Sequence, residues 1–258
     1  NKMIAILSPA KNLDFTSPID SNLAFTKPVN LKEAEELITI LKLKSSKEIG
    51  ELMKLSPALS DLNYNRYKTW TRSHTLTNAR QNVLSFNGAA YLGLDAPSLS
   101  EKDLLYSQDH LRILSGLYGI LKPLDLLKEY RLEMGTRLKT EKGTNLYHFW
   151  GEKITNSLKK DLKKQGNILV NLASNEYSKV LDLKALDSRV ITCHFKDMSK
   201  SGEYKTIMTF AKTARGLMTR YILKNKLTNP DDLIGFDYQG YFYSEVQSQE
   251  NELTFLRG

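Results

Sequence analysis

Cysteine is the scarcest residue in this sequence. Cys193 is the one cysteine among 258 residues. A single thiol cannot close a disulfide within the chain, and it cannot build a cysteine-based zinc site. The residues around Cys193 alternate between apolar and polar, as in a strand. We therefore expect Cys193 to be a small buried hydrophobe rather than a reactive thiol.

Long apolar runs and a secretory leader are also missing. No stretch approaches the roughly 20 apolar residues that a membrane-spanning helix requires. The first residues do not form a charged-then-apolar leader with a small-residue cleavage site. Together with the lack of cysteine, this predicts a protein of the reducing cytoplasm. We expect no membrane partner and no disulfide-linked partner.

Histidine is scarce and scattered. The 4 histidines do not form H-x-x-x-H or H-E-x-x-H spacings, which are the signatures of histidine metal sites. We therefore expect no metal site and no cofactor. The shortage of histidine and cysteine argues against a site for soft metals, whereas an all-oxygen iron site stays open.

Acidic residues are too few to balance the basic ones. The chain has 37 Lys and Arg against 29 Asp and Glu, which gives a net charge of +8 and a pI near 9.3. Such a surplus favours polyanions such as nucleic acid, nucleotides or an anionic membrane surface. A modest surplus also occurs in proteins that bind none of these, so charge alone does not identify the partner.

Strands and helices are interspersed without a strict β-α-β rhythm. The pattern predicts strands over residues 3–7, 167–173, 190–195 and 204–210, with a closing hairpin near the end. It predicts helices over residues 77–86, from 101 to about 121, over 145–164 and over 211–225. No repeat, low-complexity tract or linker divides the chain. We expect an α+β fold in a single domain over residues 1–258, with a mixed β-sheet wrapped by helices.

The motif S-P-A-K follows the first predicted strand and spans Ser8 to Lys11. As S-x-x-K it matches the nucleophile motif of penicillin-binding enzymes. That motif needs Ser8 at the start of a buried helix, yet Pro18 and a polar stretch follow, and the partner motifs are missing. A plain turn is the second interpretation. We favour the third, in which Lys11 at a strand end faces an anion.

Residues 111–127, LRILSGLYGILKPLDLL, contain two glycines between apolar segments. Two helices joined at Gly116 and Gly119 would resemble a helix-hairpin-helix element, in which backbone amides meet DNA phosphates. Arg112 and Lys122 would add positive charge. The usual hairpin has one residue between its glycines and this one has two, so a helical hairpin inside the core remains the alternative.

Residues 130–138 alternate as a strand does, which places Arg131, Glu133 and Arg137 on one face. The pair of Arg131 and Glu133 is either a structural ion pair or a fork that presents a guanidinium to phosphate. Lys212 and Arg215 stand three residues apart where a predicted strand turns into a helix. They either bind phosphate together with the first-turn amides or form a solvated face.

Several long motifs occur in a fixed order, and the similarity that they carry spans nearly the whole chain, from Met3 to about Phe255. They are ILSPAK, LRILSGLYGILKPLDLLKEYRLEMGTRL, LYHFWG, NLASNEY, FAKTARGLMTRYI and GFDYQGYFY. In these motifs the chain resembles the YaaA family of bacterial peroxide-stress proteins.

The resemblance implies a cytoplasmic bacterial protein that is made under hydrogen peroxide stress and is associated with limiting free iron and oxidative damage. It also implies binding of double-stranded or structured DNA through a basic cleft and a helix-hairpin-helix element. The hairpin would lie in residues 111–127, centred on Gly116 and Gly119. The cleft would include five basic residues: Lys11, Arg131, Arg137, Lys212 and Arg215.

Two functions remain open from the sequence. The leading one is a DNA-binding protein without turnover. The alternative is an enzyme that acts on a nucleobase, a nucleotide or damaged DNA with a pocket lysine. One deep pocket that contains the polar residues at the ends of predicted strands and helices would favour the enzyme. An open basic groove would favour DNA binding without turnover. The polar residues in question are Ser8, Lys11, Arg131, Glu133, Asn175, Glu176, Lys212 and Arg215.

Overall fold

A computed structural model describes residues 2–258. Its main feature is an 8-stranded sheet in the order β11-β12-β9-β8-β1-β5-β6, with β10 paired to β9. Small two-stranded ladders join β2 to β4 and β3 to β7. The strands are β1 (Met3–Leu7), β2 (Asn12–Leu13), β3 (Arg80–Gln81), β4 (Phe86–Asn87), β5 (Leu111–Ser115), β6 (Gly119–Leu121), β7 (Leu126–Leu127), β8 (Ile168–Asn171), β9 (Arg189–Met198), β10 (Tyr204–Lys205), β11 (Phe242–Tyr243) and β12 (Glu252–Arg257).

Helices cover the sheet. They are α1 (Leu31–Lys42), α2 (Ser46–Met53), α3 (Pro57–Thr69), α4 (Ala89–Leu94), α5 (Glu101–His110), α6 (Leu146–Trp150), α7 (Lys153–Lys164), α8 (Asn175–Ser178) and α9 (Met208–Lys224). The predicted single domain with a mixed sheet wrapped by helices is confirmed. No helix within residues 2–258 is long and apolar enough to cross a membrane.

The centre of the sheet is parallel. Strands β5, β1, β8, β9 and β12 run in one direction, while β6 and β11 are antiparallel to their neighbours. Every residue of β1 is buried, because helices and loops cover both faces of a parallel sheet. The chain leaves β1 to form β5 on one side and later returns to form β8 on the other. This reversal creates a crevice at the carboxyl ends of these strands, where α/β proteins bind ligands.

Helix α9 packs against α4 at almost direct backbone contact. A Cβ added to Gly216 would lie 1.7 Å from the Ala90 carbonyl oxygen, and one added to Gly93 would lie 2.2 Å from the Thr213 carbonyl oxygen. Only glycine leaves room for this approach. The contact holds the first half of α9 beside the carboxyl end of β1.

The predicted helix-hairpin-helix in residues 111–127 is wrong. Helix α5 begins after the Ser100 cap, as its capping pattern predicts, but it ends at His110. Strands β5 and β6 follow and form an antiparallel pair, with Ser115 opposite Gly119. Strand β5 is buried on both faces of the sheet, so the segment is apolar on all sides. A buried helix has the same composition, and the sequence pattern therefore does not distinguish the two.

Other local predictions also need correction. Residues 77–86 form β3 and a 3-10 turn instead of a helix, and the helix predicted over 145–164 is divided at Gly151. Residues 130–138 alternate in burial but pair with no strand. Only Tyr204–Lys205 of the strand predicted over 204–210 is formed, because α9 begins at Met208.

Candidate functional site

A cavity of about 350 Å³ opens at the carboxyl ends of β1 and β8. Residues 7–12, which follow β1, form one wall, and Leu172 and Ser174 come from the chain just after β8. The start of α4, residues 130–133 and the first half of α9 complete the lining. The cavity therefore lies where the sheet topology predicts a ligand site.

Ser8 ties the two strand ends together. Its Oγ accepts a hydrogen bond of 2.8 Å from the Ser174 backbone N–H and lies 3.2 Å from the Ser174 hydroxyl. The Tyr91 hydroxyl donates to the Ser8 carbonyl oxygen over 2.7 Å. No histidine lines this cavity within residues 2–258. Ser8 thus orders the wall of the cavity, and a Ser-His nucleophile pair is missing there.

Glu133 lies between two cations of the rim. One carboxylate oxygen is 3.2 Å from the Lys11 Nζ, and the other is 3.5 Å from the Arg131 Nε. The Lys11 side chain is 61% exposed, whereas Arg131 is 17% exposed. The Tyr67 hydroxyl donates to the Arg131 backbone carbonyl and fixes this segment. The predicted pairing of Arg131 with Glu133 is therefore present, with Lys11 as a third member.

Lys212 and Arg215 approach the same cavity from α9. Because α9 begins at Met208, they lie in its second and third turns, not beside the first-turn amides. Neither forms an ion pair within residues 2–258. Lys212 is exposed and Arg215 is half-buried, and burial lowers the pKa of the Arg215 guanidinium. These two cations are available to an anion.

Three buried phenols lie on the inner wall of the cavity: Tyr91, Tyr130 and Tyr177. Burial raises the pKa of each, so they remain protonated donors at neutral pH. The hydroxyls of Tyr130 and Ser115 are 2.6 Å apart. The cavity thus has an aromatic and apolar interior and a charged rim, which suits a ligand with a planar body and an anionic group.

Glu176 provides the second carboxylate of the lining. It accepts a hydrogen bond of 2.8 Å from the Gly135 N–H, and its own backbone carbonyl accepts one of 2.6 Å from the Tyr147 hydroxyl. The sequence indicated Glu176 through its position after a predicted strand. It gave no signal for Tyr91, Tyr177 or Thr209, because these side chains reach the cavity only through tertiary packing.

The remaining predicted binding residues lie elsewhere. Arg112 is buried, and its Nε is 3.2 Å from the Asp161 Oδ2, so it is not available to DNA. Gly116 and Gly119 are buried in the turn region of β5 and β6. Lys122 and Arg137 are exposed but do not line the cavity.

Metal and thiol chemistry have little support from the geometry. No group of three or more His, Cys, Asp or Glu side chains within residues 2–258 is arranged to hold a metal ion. Cys193 is buried in β9, as predicted. Burial raises the pKa of its thiol to about 12, so the reactive thiolate is scarce at neutral pH.

The fold is thus a mixed α/β sheet with a cation-rimmed cavity at the ends of its central parallel strands. Residues 3–247 match the family described as Peroxide stress protein YaaA. The chain is 50% identical over 256 residues to a UPF0246 protein of Saccharophagus degradans, with 99% of each chain covered. It is 51% identical over 256 residues to one of Bordetella pertussis, again with 99% of each covered. A third, of Pseudoalteromonas translucida, is 51% identical over 257 residues, 99% of this chain and 98% of the relative. The chain belongs to the YaaA family of peroxide stress proteins, as its motifs predicted.

Proposed function

We propose that this protein binds DNA in the bacterial cytoplasm and takes one nucleotide of it into the cavity. The observation that carries the proposal is the set of basic side chains at the cavity rim: Lys11, Arg131, Lys212 and Arg215. The volume of about 350 Å³ lies within the range of small-molecule sites. It suits a single nucleotide, whereas a duplex is far too large to enter.

The two parts of the cavity have different tasks in this proposal. Lys212 and Arg215 neutralise phosphates and release counterions, which supplies sequence-independent affinity. The phenolic interior receives the base, and contact between a base and an aromatic ring contributes about 1–3 kcal/mol. Removing a base from a duplex costs a few kcal/mol, and least where it is unpaired or damaged. The protein therefore selects unpaired or damaged sites.

This selection gives the protein a role under peroxide stress. Iron-dependent oxidation damages bases and leaves positions where pairing is weak. A protein that occupies such positions helps to limit further oxidative damage. The proposal assigns that role to DNA occupancy, and it needs no iron site within the chain.

The test is a fluorescence anisotropy titration with labelled duplexes of equal length, one fully paired and one with a single unpaired nucleotide. We expect tighter binding to the second duplex. A nucleoside 5′-monophosphate should compete better than the matching nucleoside, because the rim cations hold its phosphate. Equal affinity for both duplexes, with no competition by the monophosphate, would contradict the proposal.

A second candidate is an enzyme that acts on the bound nucleotide. It is favoured by the two carboxylates, Glu133 and Glu176, that share the cavity with the cations. Lys11 is a weak candidate for a lysine nucleophile, because its side chain is 61% exposed and its Nζ lies 3.2 Å from the Glu133 carboxylate. Borohydride trapping on abasic DNA tests the lysine mechanism. A covalent adduct that disappears in Lys11→Ala would establish it.

A further inference from the structure

A second cavity of about 630 Å³ is lined in part by Lys128 and Glu129, which directly precede residues 130–133 of the first cavity's lining. We call it the Lys128 cavity. Its lining shares no residue with the first cavity, so it is a separate site. It is lined by Phe15, Arg66, Thr69, Trp70, Thr71, Leu76, Thr77, Asn78, Ala79, Arg80, Lys128 and Glu129.

Lys128 is a buried cation without a carboxylate partner. The residue is 8% exposed, and it forms no ion pair within residues 2–258. Its Nζ donates to the Thr71 carbonyl oxygen over 2.8 Å and to the Thr71 hydroxyl over 2.7 Å. An ammonium has three N–H donors, so one remains. Lysine is almost never this buried unless it is paired.

The surroundings of Lys128 do not supply the missing negative charge. The Nζ lies 5.7 Å from the centre of the Trp70 ring, a contact that offsets only part of the burial cost. Desolvation lowers the pKa of Lys128, as expected for an ammonium without a counter-charge. An anion in the cavity would supply that counter-charge.

Two arginines add to the positive charge. The NH2 group of Arg66 is 3.2 Å from Glu129, the one acid of the lining. The NH2 group of Arg80 donates to the Ser17 carbonyl oxygen over 2.6 Å. The buried Nε atoms of both arginines have no hydrogen-bond partner within residues 2–258. The lining therefore holds three basic side chains, Arg66, Arg80 and Lys128, against the single acid Glu129.

We propose that the Lys128 cavity is a binding site for a phosphate group. The remaining N–H of Lys128 binds one phosphate oxygen, and the arginines provide the planar donors that match phosphate. Thr77 and Asn78 also line the cavity, but their side chains already bond within the protein: the Thr77 hydroxyl is 2.7 Å from the Thr75 hydroxyl, and the Asn78 Nδ2 donates to the Ser73 carbonyl oxygen. The same chemistry recognises a free phosphate compound or a phosphodiester of a nucleic acid strand.

The position of the cavity fits a strand that also enters the first cavity. Lys128 and Arg131 are three residues apart, so their Cα atoms are at most roughly 11 Å from each other. A few nucleotides of one strand span that distance. The phosphate site itself does not depend on the proposed function, because none of its residues contributes to the first cavity.

The experiment measures binding of inorganic pyrophosphate and of a short single-stranded oligonucleotide by isothermal titration calorimetry. Lys128→Met keeps the length of the side chain and removes its charge. We expect at least a tenfold loss of affinity for the ligand that uses the site. Loss for both ligands means that free phosphate compounds bind there, and loss for the oligonucleotide alone assigns the site to a phosphodiester.

Lys68→Met is the matched control, since Lys68 is an exposed lysine of α3 outside the cavity. It should bind both ligands as the wild type does. Arg66→Gln is a second variant in case Lys128→Met does not fold, and it should weaken binding by a smaller factor. Binding of both ligands unchanged in Lys128→Met and Arg66→Gln, or absent from the wild type, would overturn the proposal.

Discussion

Removal of either Lys212 or Arg215 of α9 should change how DNA binding responds to salt. Lys212 and Arg215 line the cavity, and neither has an acidic partner within residues 2–258. In the proposed DNA complex we therefore expect each to neutralise about one phosphate. One duplex contact contributes about 0.9 to the slope of log K against log salt, and one contact with a single strand about 0.7. The substitutions Lys212→Ala and Arg215→Ala should each reduce the slope by that amount.

The assay is an anisotropy titration at several salt concentrations. Between roughly 50 and 200 mM salt, one duplex contact accounts for about a 3.5-fold loss of affinity. The total loss of affinity over this salt range should therefore be smaller in each variant than in the wild type by that factor. The loss should be the same for different DNA sequences, because phosphate contacts carry no base information. Lys224→Ala is the control, since the Lys224 Nζ lies 3.7 Å from Asp103 and outside the cavity. Unchanged slopes in folded Lys212→Ala and Arg215→Ala would show that neither side chain contacts a phosphate.

Glu133→Gln should tighten DNA binding and steepen its salt dependence, as measured by the same titration, because the carboxylate no longer neutralises two rim cations; weaker binding would count against a phosphate site at the rim. Burial raises the pKa of Asp125 from 3.8 to about 6, so between these two pH values the native state binds more protons than the unfolded state does. The free energy of unfolding should therefore fall as the pH rises through this range, by up to roughly 3 kcal/mol. Urea unfolding of Asp125→Asn between pH 4 and 7 should show that this dependence is lost, and an unaltered pH profile would contradict the assignment. Gly216→Ala places its Cβ against the backbone of α4 and should cost about 3 kcal/mol; an unchanged urea midpoint would show that the helices separate easily.

The rim of the cavity was partly predictable from the sequence. A buried apolar run that ends in a polar turn indicates a strand end, and this places Lys11 correctly. The apolar face of residues 211–225 likewise predicts α9, with Lys212 and Arg215 on its outer side. The order of the strands depends on packing over the whole chain. The meeting of these residues in one cavity could therefore not be derived from local patterns.

The error in residues 111–127 has a physical cause. Ser100 gives a clear start signal for α5, but no glycine or proline marks its end at His110. The end is set by tertiary contacts, with the His110 Nδ1 lying 2.9 Å from the Met3 carbonyl oxygen. The residues that follow are buried on both faces of β5, so their pattern has no period that separates strand from helix.

The alternation in residues 130–138 was real but was misread as a strand. Leu132, Met134 and Leu138 are buried, while Arg137 points outward. The segment takes its hydrogen bonds from side chains such as Tyr67 and Glu176 instead of from a neighbouring strand. The alternation of apolar and polar residues indicates burial on one side of the segment. It does not indicate that the backbone pairs with a neighbouring strand.

The proposed function requires one unpaired nucleotide of DNA to enter the cavity at the ends of β1 and β8. Thr209 is an exposed residue of the rim whose side chain makes no hydrogen bond within residues 2–258, so Thr209→Trp can obstruct the cavity without disturbing the core. The decisive measurement is the affinity of the wild type and Thr209→Trp for duplexes with and without one unpaired nucleotide. We expect the wild type to prefer the unpaired site and Thr209→Trp to lose this preference while it keeps its affinity for paired DNA. A preference that persists in folded Thr209→Trp, or is absent from the wild type, would contradict the proposed function.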